Sequence, residues 1–149
     1  MPEKAARAKA VKALARQKAA TTPLTVRPTA TRSAEAARAF AIEAARLMAD
    51  DKCEDVVVLD LRGLSPVCDF FVIGTGTSDR QMRAAAAHVE QLGKSQNDPP
   101  YGVGGMEEGV WIIVDFVDVV VHFFDDERRR FYDLESLWGD GARVEWMKK

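Results

Sequence analysis

Much of the usual equipment for chemistry is missing from this chain. It has two cysteines, Cys53 and Cys68, which form neither a CxxC pair nor a Cys/His cluster. Neither a disulfide framework nor a zinc site is expected, and both thiols read as small buried residues. The two histidines, His88 and His122, stand alone. No HExxH, GxSxG, GxxxxGK[ST] or GxGxxG pattern occurs, so the common metalloprotease, serine-hydrolase and nucleotide-binding fingerprints are absent. No apolar run approaches the roughly 18 residues that a membrane span needs, so no membrane association is expected.

Acid is also scarce at the start. Residues 1–32 hold eight of the 21 cations (Lys4, Arg7, Lys9, Lys12, Arg16, Lys18, Arg27, Arg32) but one of the 23 acids, Glu3. That leaves 13 cations and 22 acids in the rest, a body of net charge −9. Such asymmetry points to nucleic acid or a basic partner, through long-range attraction. Residues 1–32 lack apolar bulk, and "TTPLTVRPTATR" is rich in threonine and carries two prolines, so they read as a basic flexible tail and linker. Weak contact with RNA is one reading of the tail, and no role at all is another. A basic, acid-poor start also resembles an organellar transit peptide. Glu3 and the shortage of large apolar residues count against that, so a cytoplasmic protein is the expectation.

One domain is expected over residues 33–149. Ser33 is a good N-cap with Glu35 in the first turn, and Phe40, Ala44, Leu47 and Met48 form a helical stripe. Two short β-branched or aromatic runs follow, "DVVVLDL" from Asp55 and "DFFVIGTG" from Asp69. Ser78 and Gln81 make a capping box that opens a second helix, lined by Met82, Ala85, Val89 and Leu92 and closed by Gly93. "YGVGG" reads as a weak edge strand. "VWIIVDF" and "DVVVHFF" have almost nothing between them, which demands an antiparallel hairpin. "DERRRFYDLESLW" is helical or turn-rich. Tyr132 and Trp138 cannot share one face of a regular helix, so a break near Asp133 is expected, with Leu134, Glu135 and Trp138 lining the next element. The order gives a mixed sheet flanked by helices, in the α/β class with α+β character.

The carboxylates inside "VDFVDVVVHFF" invite a catalytic reading. Two-metal chemistry needs two carboxylates aimed at one spot, such as i and i+2 on a strand. Asp115 and Asp118 are three apart and straddle the turn instead. "GTGTS" between strand and helix has the look of a phosphate cradle, but a tight, capped turn explains it as well. Alternation puts Trp111, Ile113, Asp115, Val120, His122 and Phe124 on one sheet face. That face is either a recognition surface or a buried mixed core. No catalytic residue, metal or cofactor is assigned.

The stretches "DVVVLDLRGLSPVCDFFVIGTGTSDRQ", "VWIIVDFVDVVVHFF" and "RRRFYDLESLW" together resemble the ribosomal silencing factor, or Iojap-like, family, over about Ala36 to Trp138. The resemblance implies a nucleotidyltransferase-like fold without that fold's catalytic carboxylates. It implies binding to the large ribosomal subunit at ribosomal protein fourteen, and steric exclusion of the small subunit that lowers translation when nutrients are scarce. A large-subunit assembly factor is the alternative from the same family, and a nucleotidyl-transfer enzyme using Gly74, Gly76, Ser78 and Asp115 is the more distant one. The implied contact residues are Trp111, Asp115, Asp118, Val120, His122, Tyr132, Leu134, Glu135 and Trp138. An exposed apolar sheet face would also allow a homodimer off the ribosome. The family usually has glycine where this chain has Val117. Either the turn differs, or Val117 avoids the positive-φ position.

Overall fold

The computed structural model describes residues 32–65, 68–137 and 141–147. Residues 1–31 of the expected tail over 1–32, and the expected contact residue Trp138, lie outside them. Helix α1 (Ala34–Asp50) leads into β1 (Glu54–Asp60) and β2 (Phe70–Thr75). Helix α2 (Asp79–Ser95) follows, then β3 (Gly102–Gly104), β4 (Trp111–Asp115) and β5 (Val119–Phe124). Two short helices, α3 (Asp126–Tyr132) and α4 (Leu134–Leu137), precede β6 (Ala142–Arg143). The six strands form one sheet in the order β3-β4-β5-β2-β1-β6. Only β2 and β5 run parallel among these pairs; the others are antiparallel, as the sequence order requires of a mixed sheet.

The caps are where the side chains predict them. Ser33 accepts from the Ala36 N–H, and Ser78 from the Gln81 N–H. Gln81 reaches back to the Thr77 N–H rather than to that of Ser78, and its amide nitrogen also donates to the Asp51 carbonyl, tying the end of α1 to the start of α2. Gly93 does not end α2, which runs on to Ser95. Asn97 takes the left-handed conformation (φ 58°) instead, and the Asp98 N–H returns to the Gly93 carbonyl. A Cβ at Gly93 would come within 2.4 Å of the Phe116 ring and 2.5 Å of the Asp98 carbonyl oxygen, so the glycine serves close approach.

Both long helices pack on one sheet face. Alanines at 37, 41, 44, 45, 85 and 86 let them sit close over Val58, Val72, Val114, Val121 and Phe123. The opposite face carries Val57, Leu59, Phe71, Ile73, Trp111, Ile113, Val120 and Phe124, with Leu61, Cys68, Leu134 and Tyr132 packed over it. Strand β5 is therefore buried on both sides over its whole length. Each of its larger apolar side chains contributes about 1.5–3 kcal/mol of burial free energy.

Strand β6 has no sequence signature: two residues, Ala142 and Arg143, add to the edge beside Leu59 and Asp60. A register shift in β1 between Glu54 and Val57, with Asp55 at φ 49°, accompanies this edge. The Val56 carbonyl there accepts the Trp146 indole N–H at 2.9 Å.

The β4–β5 turn is the strained point of the fold. Val117 does occupy a positive φ of 78°. The Asp118 N–H donates to the Phe116 carbonyl, an i to i+2 bond that makes Val117 the centre of a γ-turn, the rarer and strained form. Phe116 N–H donates to the Val119 carbonyl, and the Asp115 carboxylate accepts the Val117 N–H at 2.8 Å. These bonds hold a β-branched residue where it costs about 1–2 kcal/mol. Val117→Gly removes that strain but adds about 0.5–1 kcal/mol of unfolded-chain entropy. Urea unfolding should therefore show a net gain of about 0.5–1 kcal/mol; a loss would contradict the strained assignment.

Candidate partner-binding surface

The residues expected at the contact surface separate into a buried layer and an edge. Trp111 and His122 face each other from β4 and β5, and the Trp111 indole N–H donates to His122 Nδ1 at 3.1 Å. An indole nitrogen only donates, so Nδ1 must be the acceptor and the neutral ring keeps its proton on Nε2. Trp111 stacks on Phe124 with centroids 4.9 Å apart and lies 5.0 Å from Tyr132. Phe71 meets His122 edge-on at 4.5 Å. Of the two readings left open for this face, the buried core is the one seen: Trp111 is 2% exposed, His122 1%, and Val120 and Leu134 are buried as well. The covering residues are Tyr132 of α3, Leu134 of α4, and Leu61 and Cys68. The open apolar sheet that suggested a homodimer is thus not exposed.

The two aspartates are also inside. Asp115 is spent on the Val117 amide, and Asp118 Oδ2 pairs with Arg32 Nε at 3.2 Å. Burial pushes the Asp118 carboxyl above its ordinary range, against the pull of Arg32. Neither carboxylate is presented at an open cleft. The glycine turn is closed in the same way. Gly76 N–H donates to the Phe124 carbonyl, Thr77 N–H to Gln81, Arg80 N–H to Asp79, and Gln81 N–H to Ser78. These four amide donors of the turn and first helical turn are therefore engaged within the chain. A Cβ at Gly76 would fall 1.8 Å from Met82 Cγ, so packing of α2 accounts for this glycine. Among the described residues, no group of three or more His, Cys, Asp or Glu side chains could hold a metal ion, and no helix is long and apolar enough to cross a membrane.

The edge is built by α3 and α4. Asp125 caps α3 by accepting the Arg128 N–H at 2.7 Å, and Asp126 and Glu127 favour its first turn. The expected break is present: Asp133 is left-handed at φ 48°, and its N–H returns to the Arg129 carbonyl. The break turns Tyr132 and then Leu134 onto the aromatic layer. Glu135, half-buried, pairs with Arg129 at 2.9 Å and Arg143 at 3.6 Å, so its charge is used within the chain. Arg129 also donates to the Thr75 hydroxyl at 2.8 Å, fixing α3 to the end of β2. Two participants escaped the sequence reading, Arg129 and Phe131. Phe131 is 56% exposed and meets Tyr132 edge-on at 5.0 Å. The signal was available: if Tyr132 faces inward on a helix, its neighbour lies about 100° round toward solvent.

His122 gives this site a pH dependence. Burial lowers its pKa from 6.5 to about 3. The unfolded chain takes up the proton near 6.5, while the folded chain resists it down to about 3. Stability is fully present above about pH 6.5 and falls as pH drops toward 3, with a limiting slope of about 1.4 kcal/mol per pH unit. Urea midpoints measured from pH 7.5 to 5 should fall in the native protein, and His122→Gln should remove most of the fall. Equal falls in both would contradict the buried neutral histidine.

Comparison with known proteins agrees with the fold. A family model described as ribosomal silencing factor during starvation matches residues 34–149. A protein of Halalkalibacterium halodurans called ribosomal silencing factor RsfS is 40% identical over 96 residues, covering 64% of this chain and 82% of that protein. The mouse protein called mitochondrial assembly of ribosomal large subunit protein 1 is 32% identical over 95 residues, 62% of this chain and 42% of its own length. Among solved structures, a Chromobacterium violaceum protein superposes with a TM-score of 0.66 at 33% identity, covering 79% of this chain and 95% of that one.

Proposed function

The chain belongs to the ribosomal silencing factor family, and on that footing we propose that it binds the large ribosomal subunit at ribosomal protein fourteen and excludes the small subunit sterically. The effect is to repress translation under nutrient limitation, without catalysis. The observation that carries this reading is the edge described above: an exposed Phe131 and a half-buried Tyr132 mounted on a hydrogen-bonded aromatic layer. Aromatic side chains held rigid at low entropy cost are the usual anchors of protein interfaces. Trp111, Asp115, Asp118, Val120, His122 and Leu134 serve here as the scaffold that sets the shape of the surface. Trp138, next to α4 in the chain, is proposed as a further anchor. An acidic body also suits a basic ribosomal protein, which favours encounter. The Asp115 carboxylate and four amides around the glycine turn are engaged within the chain, which favours a binding role over a nucleotidyl-transfer one.

A second reading, large-subunit assembly, draws on the name of the mouse relative. Sedimentation of cell extracts separates the two. Free mature large subunits in the presence of the protein support silencing, whereas immature particles on its deletion support assembly.

The direct test is co-sedimentation of the purified protein with separated large and small subunits. Binding to the large subunit alone is expected, and binding to neither rejects the proposal. Phe131→Asp should weaken large-subunit binding at least tenfold, about 1.4 kcal/mol, with little change in melting temperature. Trp138→Ala should cost about 2 kcal/mol or more of affinity, about 30-fold, in a protein that still melts normally. A Trp138 variant that melts much earlier, or binds as tightly as the native chain, removes that residue from the surface.

A further inference from the structure

The α3–α4 edge is held more by polar contacts than by burial. Helix α3 has seven residues and α4 four, too few for either to keep its shape alone. No residue of α3 is fully buried. Tyr132 is half-buried, and Leu134 of α4 lies inside. Between the two helices Asp133 stands at φ 48°, where the chain changes direction. The angle across that break needs something to fix it.

One side chain touches every part of the junction. The Arg129 guanidinium is 10% exposed, and its Nε donates to Glu135 Oε1 at 2.9 Å. Its Nη1 donates to the Thr75 hydroxyl at 2.8 Å. Thr75 is buried and ends β2, whereas Glu135 belongs to α4. The Arg129 carbonyl accepts the Asp133 N–H at 2.9 Å, closing α3 from within. Arg129 thus ties α3 to the sheet, to α4 and to the break. Arg143 of β6 lies 3.6 Å from the other Glu135 oxygen and backs the same carboxylate from the sheet edge. The neighbouring cations are different: Arg128 pairs with Glu127 and Arg130 with Asp126, both inside α3. We propose that Arg129 is a positioning residue, whose planar fork sets the angle between α3 and α4 and so presents Phe131 and Tyr132 in the geometry that binds. The plane matters as well as the charge, because two nitrogens of one rigid group address partners on two elements. Arg129 is covered, so it acts through the edge and not by touching a partner. What the edge binds rests on the proposed function; how the edge is arranged does not.

A site formed only a fraction of the time binds more weakly by that fraction, so an edge ordered about a tenth of the time costs about tenfold in Kd. The experiment uses the full chain with Arg129→Gln, Arg129→Lys or Thr75→Val; the last removes a hydroxyl and keeps the shape of a buried strand residue. Hydrogen exchange on the free proteins reads order at the Asp133 and Ser136 amides, whose bonds to the Arg129 and Asp133 carbonyls span the break. Co-sedimentation at low and physiological salt reads the large-subunit Kd. Both Arg129 variants should lose nearly all protection at those two amides, with the amides of β4 and β5 within threefold of native. Their large-subunit Kd should rise about tenfold, with an unchanged dependence on salt. Thr75→Val should speed exchange at the same two amides at least threefold. Native protection at Asp133 and Ser136 in folded Arg129 variants overturns the proposal. If those variants do not fold, native protection in Thr75→Val overturns it instead. So does full rescue of affinity by lysine, which would leave charge alone as the requirement. Equal loosening of β4 and β5 also overturns it, since Arg129 would then be a general stabiliser. If the native chain does not sediment with large subunits, the proposed function falls, and exchange in the free proteins still decides the role of Arg129.

Discussion

The hydrogen bond from the Trp111 indole to His122 Nδ1 is the interaction on which the rest of the candidate surface depends. It sits in a strand hairpin buried on both faces, where an imidazole is tolerated only if neutral. The indole donor keeps Nδ1 unprotonated and so sets the tautomer. His122 Nε2 has no hydrogen-bond partner among the described residues and lies among aromatic rings, a cost of about 1–3 kcal/mol. That cost is sustained because the bonded pair holds Trp111 flat against Phe124, and Tyr132 rests on Trp111. Without the pair, α3 and α4 would have no ordered floor.

The same economy explains the polar residues that suggested catalysis. Asp115 stabilises a strained turn, Asp118 receives Arg32, and the "GTGTS" turn caps a helix and admits Met82. Each group does a structural task with the atoms a reaction would require.

The sequence makes most of the sheet legible. Strand periodicity placed β1, β2, β4 and β5 and assigned both faces of the hairpin correctly, because β5 alternates between two apolar layers. Side-chain caps placed the starts of α1 and α2, and the incompatible faces of Tyr132 and Trp138 anticipated the break at Asp133. What stayed hidden depends on contacts distant in the chain. Gly93 looked like a helix stop, yet its smallness answers to Phe116. Arg32 and Arg129 are fixed by partners far away in sequence. Alternation could say that Trp111 and His122 share a face. It could not say that α3 and α4 would return to cover that face and leave Phe131 as its exposed edge.

The central claim is that this covered aromatic face, through its α3–α4 edge, is the side that meets the large subunit. Hydrogen–deuterium exchange with and without purified large subunits tests it most directly. The account predicts slowed exchange across residues 126–137, with α1 and the exposed side of α2 unchanged. Protection confined to α1 and α2, with 126–137 exchanging as in the free protein, would contradict it.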